Sequence, residues 1–212
     1  MLFIRAQLKH VNVIGNCKMT TKEYQNIIHP LIQTKLEGLE VKNEWTAFTG
    51  YRNHYSPRVD IAVGPFNIVA GQNQTHVYNQ LVENENIKLF INKLYQVHIE
   101  NIGLEVNNEI TIPSFEDLIY KNQNARCFLA LEIENENSKK HIMGSLINAA
   151  SLGRIGIGIA YTEKTMRTFI RIMNYLGFLR RVEKNTYDTT NFLIVSKNQM
   201  QNILTELNDK NG

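Results

Sequence analysis

The segment Cys127–Glu134 constrains the fold more than any other part of this sequence. It reads Cys-Phe-Leu-Ala-Leu-Glu-Ile-Glu, an almost unbroken apolar run that ends in two acids. Such a run is typical of a central β-strand that is buried on both faces. The next strand-like segment, 155–161, alternates isoleucine with glycine, which leaves one face bare for a helix or another backbone to pack closely. Each segment is followed by a helical pattern, so the sequence predicts an α/β fold.

The remaining patterns place further elements on both sides of this pair. Thr20-Thr21-Lys22-Glu23 predicts a capped helix start, and the helix should run to about residue 36 with a kink or interruption at Pro30. The other predicted elements are strands over 45–49, 59–63 and 192–195 and helices over 138–152, 163–176 and 198–207, with Gly153 and Gly177 as helix ends. Residues 75–99 and a short stretch after Pro113 also look helical, and we interpret 70–125 as a helical insertion within one domain spanning 1–212. The prediction is a mixed central sheet flanked by helices.

Composition limits the class of protein. The chain has 212 residues, 43% of them hydrophobic, which is enough for one domain with a real core. No stretch approaches the ~18 to 20 apolar residues of a membrane span, and the start lacks the apolar region of a secretory signal. Cys17 and Cys127 are the only cysteines and form no zinc or disulfide pattern. We therefore expect a cytoplasmic protein with no membrane partner.

The distribution of charge is more informative than the net charge of +3. Residues 1–58 hold eight Lys or Arg against four Glu, and residues 163–184 hold six against two. Residues 78–120 hold seven acids against two lysines. A polyanion would be attracted to the two outer segments and repelled by the middle one. Charge alone favours equally the alternative of solvated helix faces without a partner.

Three acids occur where acids are costly. Glu132 and Glu134 share one face of their predicted strand and lie at its carboxyl end, where open α/β sheets usually bind ligands. Asp60 lies inside another short apolar strand, after Pro57-Arg58-Val59. A buried carboxylate needs a partner, a proton or a metal ion, and Mg²⁺ prefers a few carboxylate oxygens. The alternative is that these acids cap strand ends and face solvent, most plausibly for Glu134.

This arrangement resembles the PD-(D/E)xK nuclease superfamily over roughly 20–64 and 127–196. The resemblance rests on Asp60 after a loosened Pro-Asp element, on Glu132-Ile133-Glu134 of the central strand, and on the element order. It implies a restriction-endonuclease-like αβββαβ core in which Asp60 and Glu132 hold Mg²⁺ together with the carbonyl of Ile133. Glu134 occupies the place of the motif lysine, as in some restriction endonucleases, and would position the attacking water.

The resemblance also raises the question of what replaces that lysine. A lysine can reach the site from elsewhere in some members, and Lys139 or Lys140 at the start of the following helix is the candidate here. Several members add a glutamate from the first helix, for which Glu44 or Glu37 is the candidate. Serine-hydrolase, zinc-protease and phosphate-loop motifs do not occur in the sequence.

We therefore expect a Mg²⁺-dependent DNA endonuclease, most plausibly a type II restriction enzyme that acts on double-stranded DNA as a homodimer. Arg58 and the helix residues Lys164, Arg167 and Arg171, spaced by three and four, are the candidate DNA contacts. Two alternatives share the fold: a catalytically silent DNA- or protein-binding module, favoured by the missing lysine, and a repair or junction nuclease with another DNA substrate.

Overall fold

Five strands form one mixed sheet in the spatial order β1-β2-β3-β4-β5. The computed structural model of the protein describes residues 19–48, 56–68, 73–104, 110–184 and 188–206. The strands are β1 (Val41–Thr46), β2 (Arg58–Val63), β3 (Cys127–Glu134), β4 (Gly153–Ala160) and β5 (Phe192–Ser196). The first three strands pair antiparallel and the last three pair parallel. The α/β class and the mixed sheet flanked by helices agree with the sequence prediction.

Helices cover both faces of the sheet. The described part of the chain contains α1 (Thr21–Lys35), α2 (Thr75–Glu83), α3 (Glu85–Gly103), α4 (Phe115–Tyr120), α5 (Lys139–Leu152), α6 (Glu163–Arg181) and α7 (Lys197–Glu206). One buried cluster joins α1, α2, α3, α4 and α7 to one face, and a second cluster joins α5 and α6 to the other. Among the described residues, no helix is long and apolar enough to cross a membrane.

The glycines of β4 allow α5 and α6 to approach the sheet closely. A Cβ at Gly156 would lie 2.8 Å from the backbone of Ala149 and Ala150 in α5. A Cβ at Gly158 would lie 2.5 Å from the ring of Phe192 and 2.9 Å from that of Phe169 in α6. Such distances are too short for packed carbon atoms, so side chains at these positions would push the helices away.

The boundaries of two helices differ from the prediction. α1 begins with the expected capping box, in which Thr20 and Glu23 bind each other's backbone. The helix continues through Pro30, so the predicted interruption is wrong; Pro30 is exposed there. α6 continues through Gly177 to Arg181, and the predicted end at Gly177 is also wrong. A single glycine lowers helix stability by only about 1 kcal/mol, which the buried apolar face of α6 can offset.

The long excursion between β2 and β3 is helical in its described parts. Residues 75–103 form two helices rather than one, because the chain breaks at Asn84, whose side chain caps the second helix. Despite this excursion, β2 pairs directly with β3, with Ile61 opposite Leu131. The helices α2 and α3 contribute Tyr78 and Phe90 to the same buried cluster as the strands.

Candidate active site at the carboxyl end of β3

The register of β2 against β3 brings two of the predicted acids together. Ile61 lies opposite Leu131, so one further step along the two antiparallel strands places Asp60 opposite Glu132. The Asp60 carboxylate accepts a hydrogen bond from the backbone N–H of Ile133 at 2.7 Å. Because residues two apart share a strand face, Glu134 lies on the same face as Glu132. The three acids therefore meet at one end of the sheet.

Glu44 adds a fourth carboxylate from β1. Asn43 and Trp45 pair with Ile61 and Val59, which places Glu44 beside Asp60. Its φ of 51° lies in the left-handed region that residues other than glycine rarely adopt. Its carboxylate lies 3.3 Å from Lys22 Nζ and 3.1 Å from Arg58 Nε.

The site glutamate anticipated from the first helix therefore has a different origin. Of the two sequence candidates, Glu44 reaches the site from a strand, whereas Glu37 is exposed in the turn after α1. The strand that follows the first helix brings Glu44 beside Asp60. Neither residue lies in α1, where the resemblance places this glutamate.

These acids surround a cavity of about 420 Å³. The polar residues that line it include Lys22, Gln25, Glu44, Asp60, Glu132 and Glu134. Lys22 and Gln25 come from the first turns of α1, and the Gln25 amide donates a hydrogen bond to the carbonyl of Asp60. The start of the first helix is thereby fixed against the strand that carries Asp60.

The environment of Glu132 and Asp60 disfavours their charged forms. Glu132 is only 7% exposed, and its burial together with the charges of Asp60 and Glu134 raises its pKa well above 4.5. Burial raises the pKa of Asp60 as well, against the hydrogen bond from Ile133, which favours the carboxylate. The charge of Glu44 adds to the repulsion at both residues.

Glu134 is buried rather than exposed. It is 4% exposed, so the alternative in which Glu134 caps the strand in solvent is wrong. Its carboxylate accepts a hydrogen bond of 2.5 Å from Ser145 Oγ and lies 3.3 Å from His141 Nε2, both in α5. Burial still raises the pKa of Glu134, although these two neighbours favour the charged form. The helix after β3 thus fixes the orientation of this carboxyl group.

One of the cations beside the acids comes from an element that the sequence did not suggest. Lys139 and Lys140 are exposed at the start of α5 and do not line the cavity. Lys22 lines it, with its Nζ bound to Gln25 Oε1 at 3.0 Å as well as to Glu44. The sequence does not indicate Lys22 and Gln25 as site residues, because helix capping shows where α1 begins but not what its first turn faces.

The donor atoms of the site suit Mg²⁺. Within the described ranges, no three His, Cys, Asp or Glu side chains already converge as a metal-binding group. However, Asp60 and Glu132 offer carboxylate oxygens at the mouth of one cavity, and a divalent cation between them would relieve their mutual repulsion. Mg²⁺ needs only one or two carboxylates because it retains several waters.

The predicted DNA contacts lie in two places. Arg58 is exposed at the start of β2, paired with Glu44 next to the acids. Lys164, Arg167 and Arg171 are exposed along α6. The aromatic and basic side chains of residues 51–58 also predict a segment that enters a DNA groove, and residues 51–55 of this segment lie outside the described residues.

Compared with known proteins, the chain matches no family model, no curated protein and no solved structure.

Proposed function

We propose that this protein is a metal-dependent endonuclease that hydrolyses phosphodiester bonds in DNA, built on a restriction-endonuclease-like core. One observation carries the proposal: Asp60, Glu132 and Glu134 line one cavity although burial and mutual repulsion disfavour their charges. Buried, mutually repelling acids at the carboxyl end of a central strand are typical of a catalytic or metal site. The order α1, β1, β2, β3, α5, β4 also matches the αβββαβ core, with α2 to α4 as the excursion.

The roles of the acids follow from their surroundings. Asp60 and Glu132 would hold Mg²⁺, which when bound polarises the scissile phosphate and lowers the pKa of a water. The Asp60 carboxylate is oriented by the N–H of Ile133. Glu134, fixed by Ser145 and His141, orients the attacking water and accepts its proton.

Lys22 replaces the lysine that the superfamily motif carries on the central strand. Its ammonium group lies at the cavity wall, bound to Glu44 and Gln25. A cation at this position stabilises the negative charge that develops on the phosphate oxygens during the reaction. This assignment supersedes Lys139 and Lys140, which are exposed outside the cavity.

The substrate we propose is double-stranded DNA, cut by a homodimer in the manner of a type II restriction enzyme. A chain with one active site cuts both strands most simply as a two-fold dimer, whose symmetry matches a palindromic sequence. Arg58, Lys164, Arg167 and Arg171 contact phosphates, which supplies affinity rather than sequence choice. Analytical ultracentrifugation of the protein bound to DNA tests the dimer. A complex that sediments with one protein chain per duplex would contradict it.

Cleavage of supercoiled plasmid in Mg²⁺ tests the proposal. We expect nicked or linear product with the wild-type protein and a loss on the order of 10³-fold or more with Asp60→Asn, since a metal ligand supplies several kcal/mol. Glu136→Gln is the matched control, because Glu136 lines the same cavity but is exposed. Equal activity of Asp60→Asn and wild type, or no cleavage of any DNA from varied sources, would refute the endonuclease.

A catalytically silent module remains the second candidate, because Glu134 stands where the motif lysine is expected. Metal binding separates the two. For the endonuclease, Mn²⁺ or Mg²⁺ raises the melting temperature of the wild type but not of Asp60→Asn. For a silent module, the metal ions raise the melting temperature of neither protein. If cleavage occurs only on branched or damaged DNA, the repair or junction nuclease replaces the restriction enzyme.

The role of Lys22 makes a separate prediction. We expect Lys22→Met to lower the cleavage rate about 10²-fold, because one preorganised electrostatic group contributes on that order. Lys22→Arg retains the charge and should recover part of the rate. The matched control is Lys140→Met, the same substitution at a lysine outside the cavity. Equal rates for Lys22→Met and Lys140→Met would remove Lys22 from the mechanism.

A further inference from the structure

A second cavity opens at the same edge of the sheet as the acids. Its volume is about 620 Å³, and it lies where β4 ends at Ala160 and β5 ends at Ser196. The parallel strands β3, β4 and β5 all point their carboxyl ends toward this edge. Ligands of α/β sheets bind outside these strand ends, and a cavity of this size accommodates a nucleotide.

Tyr161 forms the wall between the two cavities. Its side chain lines the second cavity, and its hydroxyl donates to the carbonyl of Met19 at 2.6 Å. Its backbone N–H donates to the carbonyl of Glu134 at 2.9 Å. Met19 and Glu134 both line the acid cavity. The two cavities are therefore neighbours separated by one residue, and a nucleic acid strand with a phosphate at the acids would place an adjacent nucleotide near the second cavity.

The charged side chains of the second cavity differ from those of the first. Among the described residues that line it, Arg167 in α6 and Lys197 at the start of α7 stand against one carboxylate, Glu163. The ammonium group of Lys197 lies 4.1 Å from the centre of the Tyr161 ring, over the shared wall. The acid cavity repels phosphates when no cation is bound, whereas Arg167 and Lys197 attract them.

The remaining wall combines apolar and amide groups. Leu104, Met166 and Ile170 supply apolar surface, and Leu104 is 75% exposed. Asn101 and Gln199 exchange two amide hydrogen bonds of 3.0 Å. Asn101 is buried, whereas Gln199 is partly exposed, and its amide nitrogen has a second hydrogen that can bind a base edge. Apolar surface for a base, an amide for its edge and cations for its phosphate together fit a nucleotide.

We propose that this second cavity holds one unstacked nucleotide of the substrate strand, next to the phosphodiester that is cut. The inference rests on the proposed nuclease function and adds to it a substrate class: DNA in which a nucleotide near the cut leaves the helical stack. The nucleotide is either already unpaired or extruded from a duplex. Arg167 and Lys197 bind its phosphates.

Binding in EDTA tests this inference without any cleavage. The probe is fluorescently labelled hexathymidylate, whose Kd is measured by anisotropy with the wild-type protein, Arg167→Ala and Lys197→Ala. Each substitution is expected to raise the Kd about fivefold through loss of a phosphate contact. The control is Lys184→Ala, which removes an exposed cation outside the cavity and should change the Kd less than twofold. Circular dichroism verifies that the variants are folded.

A paired 12-mer duplex and the same duplex with one unpaired thymidine identify the source of the nucleotide. Loss of affinity confined to hexathymidylate and the bulged duplex supports an unpaired nucleotide, and an equal loss on the paired duplex supports extrusion. An unchanged Kd for hexathymidylate, no binding by the wild type, or an equal loss in Lys184→Ala overturns the inference. If the plasmid is not cleaved but the substitutions weaken binding as expected, the nuclease function is refuted and the proposal of a nucleotide-binding cavity is retained.

Discussion

Two neighbouring strands bury charged side chains in opposite ways. At the amino end of β4, Arg154 is 0% exposed, and its guanidinium is surrounded by acceptors. It donates to the carbonyls of Ile119 and Asn122 at 2.7 and 2.8 Å and to Asn79 Oδ1 at 2.7 Å. The ring of Tyr120 lies 5.7 Å away. This buried cation is compensated by the fold itself.

At the carboxyl end of β3, Glu132 has the reverse surroundings. None of the described residues donates a hydrogen bond to its carboxylate, and the charges of Asp60, Glu134 and Glu44 each act on it more strongly than the opposite charge of Arg58. A buried charge without compensation reduces stability, whereas one with several hydrogen bonds holds elements together. The comparison separates a charge in β4 that the fold compensates from a charge in β3 that it does not, as the proposed function requires.

The largest effect on the free energy of unfolding is expected from replacing Arg154, whose buried charge is hydrogen-bonded. Arg154→Met leaves one buried and two partly buried acceptors without their donor, and each unsatisfied group costs about 1 to 3 kcal/mol in the free energy of unfolding. Urea denaturation measures this value. The control is Arg167→Met on the exposed side of α6, for which we expect a change within about 0.5 kcal/mol. Similar values for the two variants would show that Arg154 is not a structural charge.

For Glu132 we expect the opposite sign, because removing its charge should increase the free energy of unfolding. Glu132→Gln removes a buried, repelled charge and should raise the free energy of unfolding by about 0.5 to 2 kcal/mol at neutral pH, while cleavage is lost. Because the pKa of Glu132 in the folded protein lies above 4.5, this gain should shrink as the pH falls through the folded pKa, where the wild-type carboxyl becomes neutral.

The control for that measurement is Glu136→Gln, an exposed acid at the same end of β3. It should leave the free energy of unfolding within about 0.5 kcal/mol of the wild type. If Glu132→Gln instead destabilises the metal-free protein, Glu132 is a structural residue and the contrast with Arg154 fails.

The smallest effect on the free energy of unfolding at neutral pH is expected for His98, whose buried ring can accept its hydrogen bond only in the neutral form. Its Nδ1 accepts the N–H of Ile194 at 3.0 Å, and burial lowers its pKa from 6.5 to about 3. The stability that neutral His98 contributes is therefore lost as the pH falls from 6.5 toward 3. His98→Asn offers an amide oxygen as acceptor and does not titrate. We expect chemical denaturation to show a weaker loss of stability between pH 6.5 and 4 in His98→Asn; identical pH profiles would contradict the assignment.

Much of the fold was accessible from local patterns. The Cys127–Glu134 run predicts a strand buried on both faces, and the glycine alternation after it predicts a further strand with one bare face; these strands are β3 and β4. Helix ends were less accessible, because the effects of Pro30 and Gly177 depend on which helix face is exposed. The end of α6 is decided by packing, which a local pattern does not contain.

The acids of the site were predictable for a different reason from its cation. Asp60, Glu132 and Glu134 interrupt apolar strand patterns. The free-energy cost of burying an acid at such a position can be recognised from the sequence alone. Lys22 is an ordinary surface residue in sequence, and only the packing of α1 across the end of the sheet brings it to the acids. Glu44 likewise depends on strand register and on a backbone conformation that no local pattern specified.

The close packing of α5 on Gly156 has a consequence for genetics. The backbone of α5 lies directly over this glycine, and the same helix carries His141 and Ser145 to Glu134. Any side chain introduced at 156 would displace the helix and, with it, both partners of that carboxyl group. A random-mutagenesis screen for inactive alleles would therefore recover position 156 among its hits, although the residue has no functional group of its own.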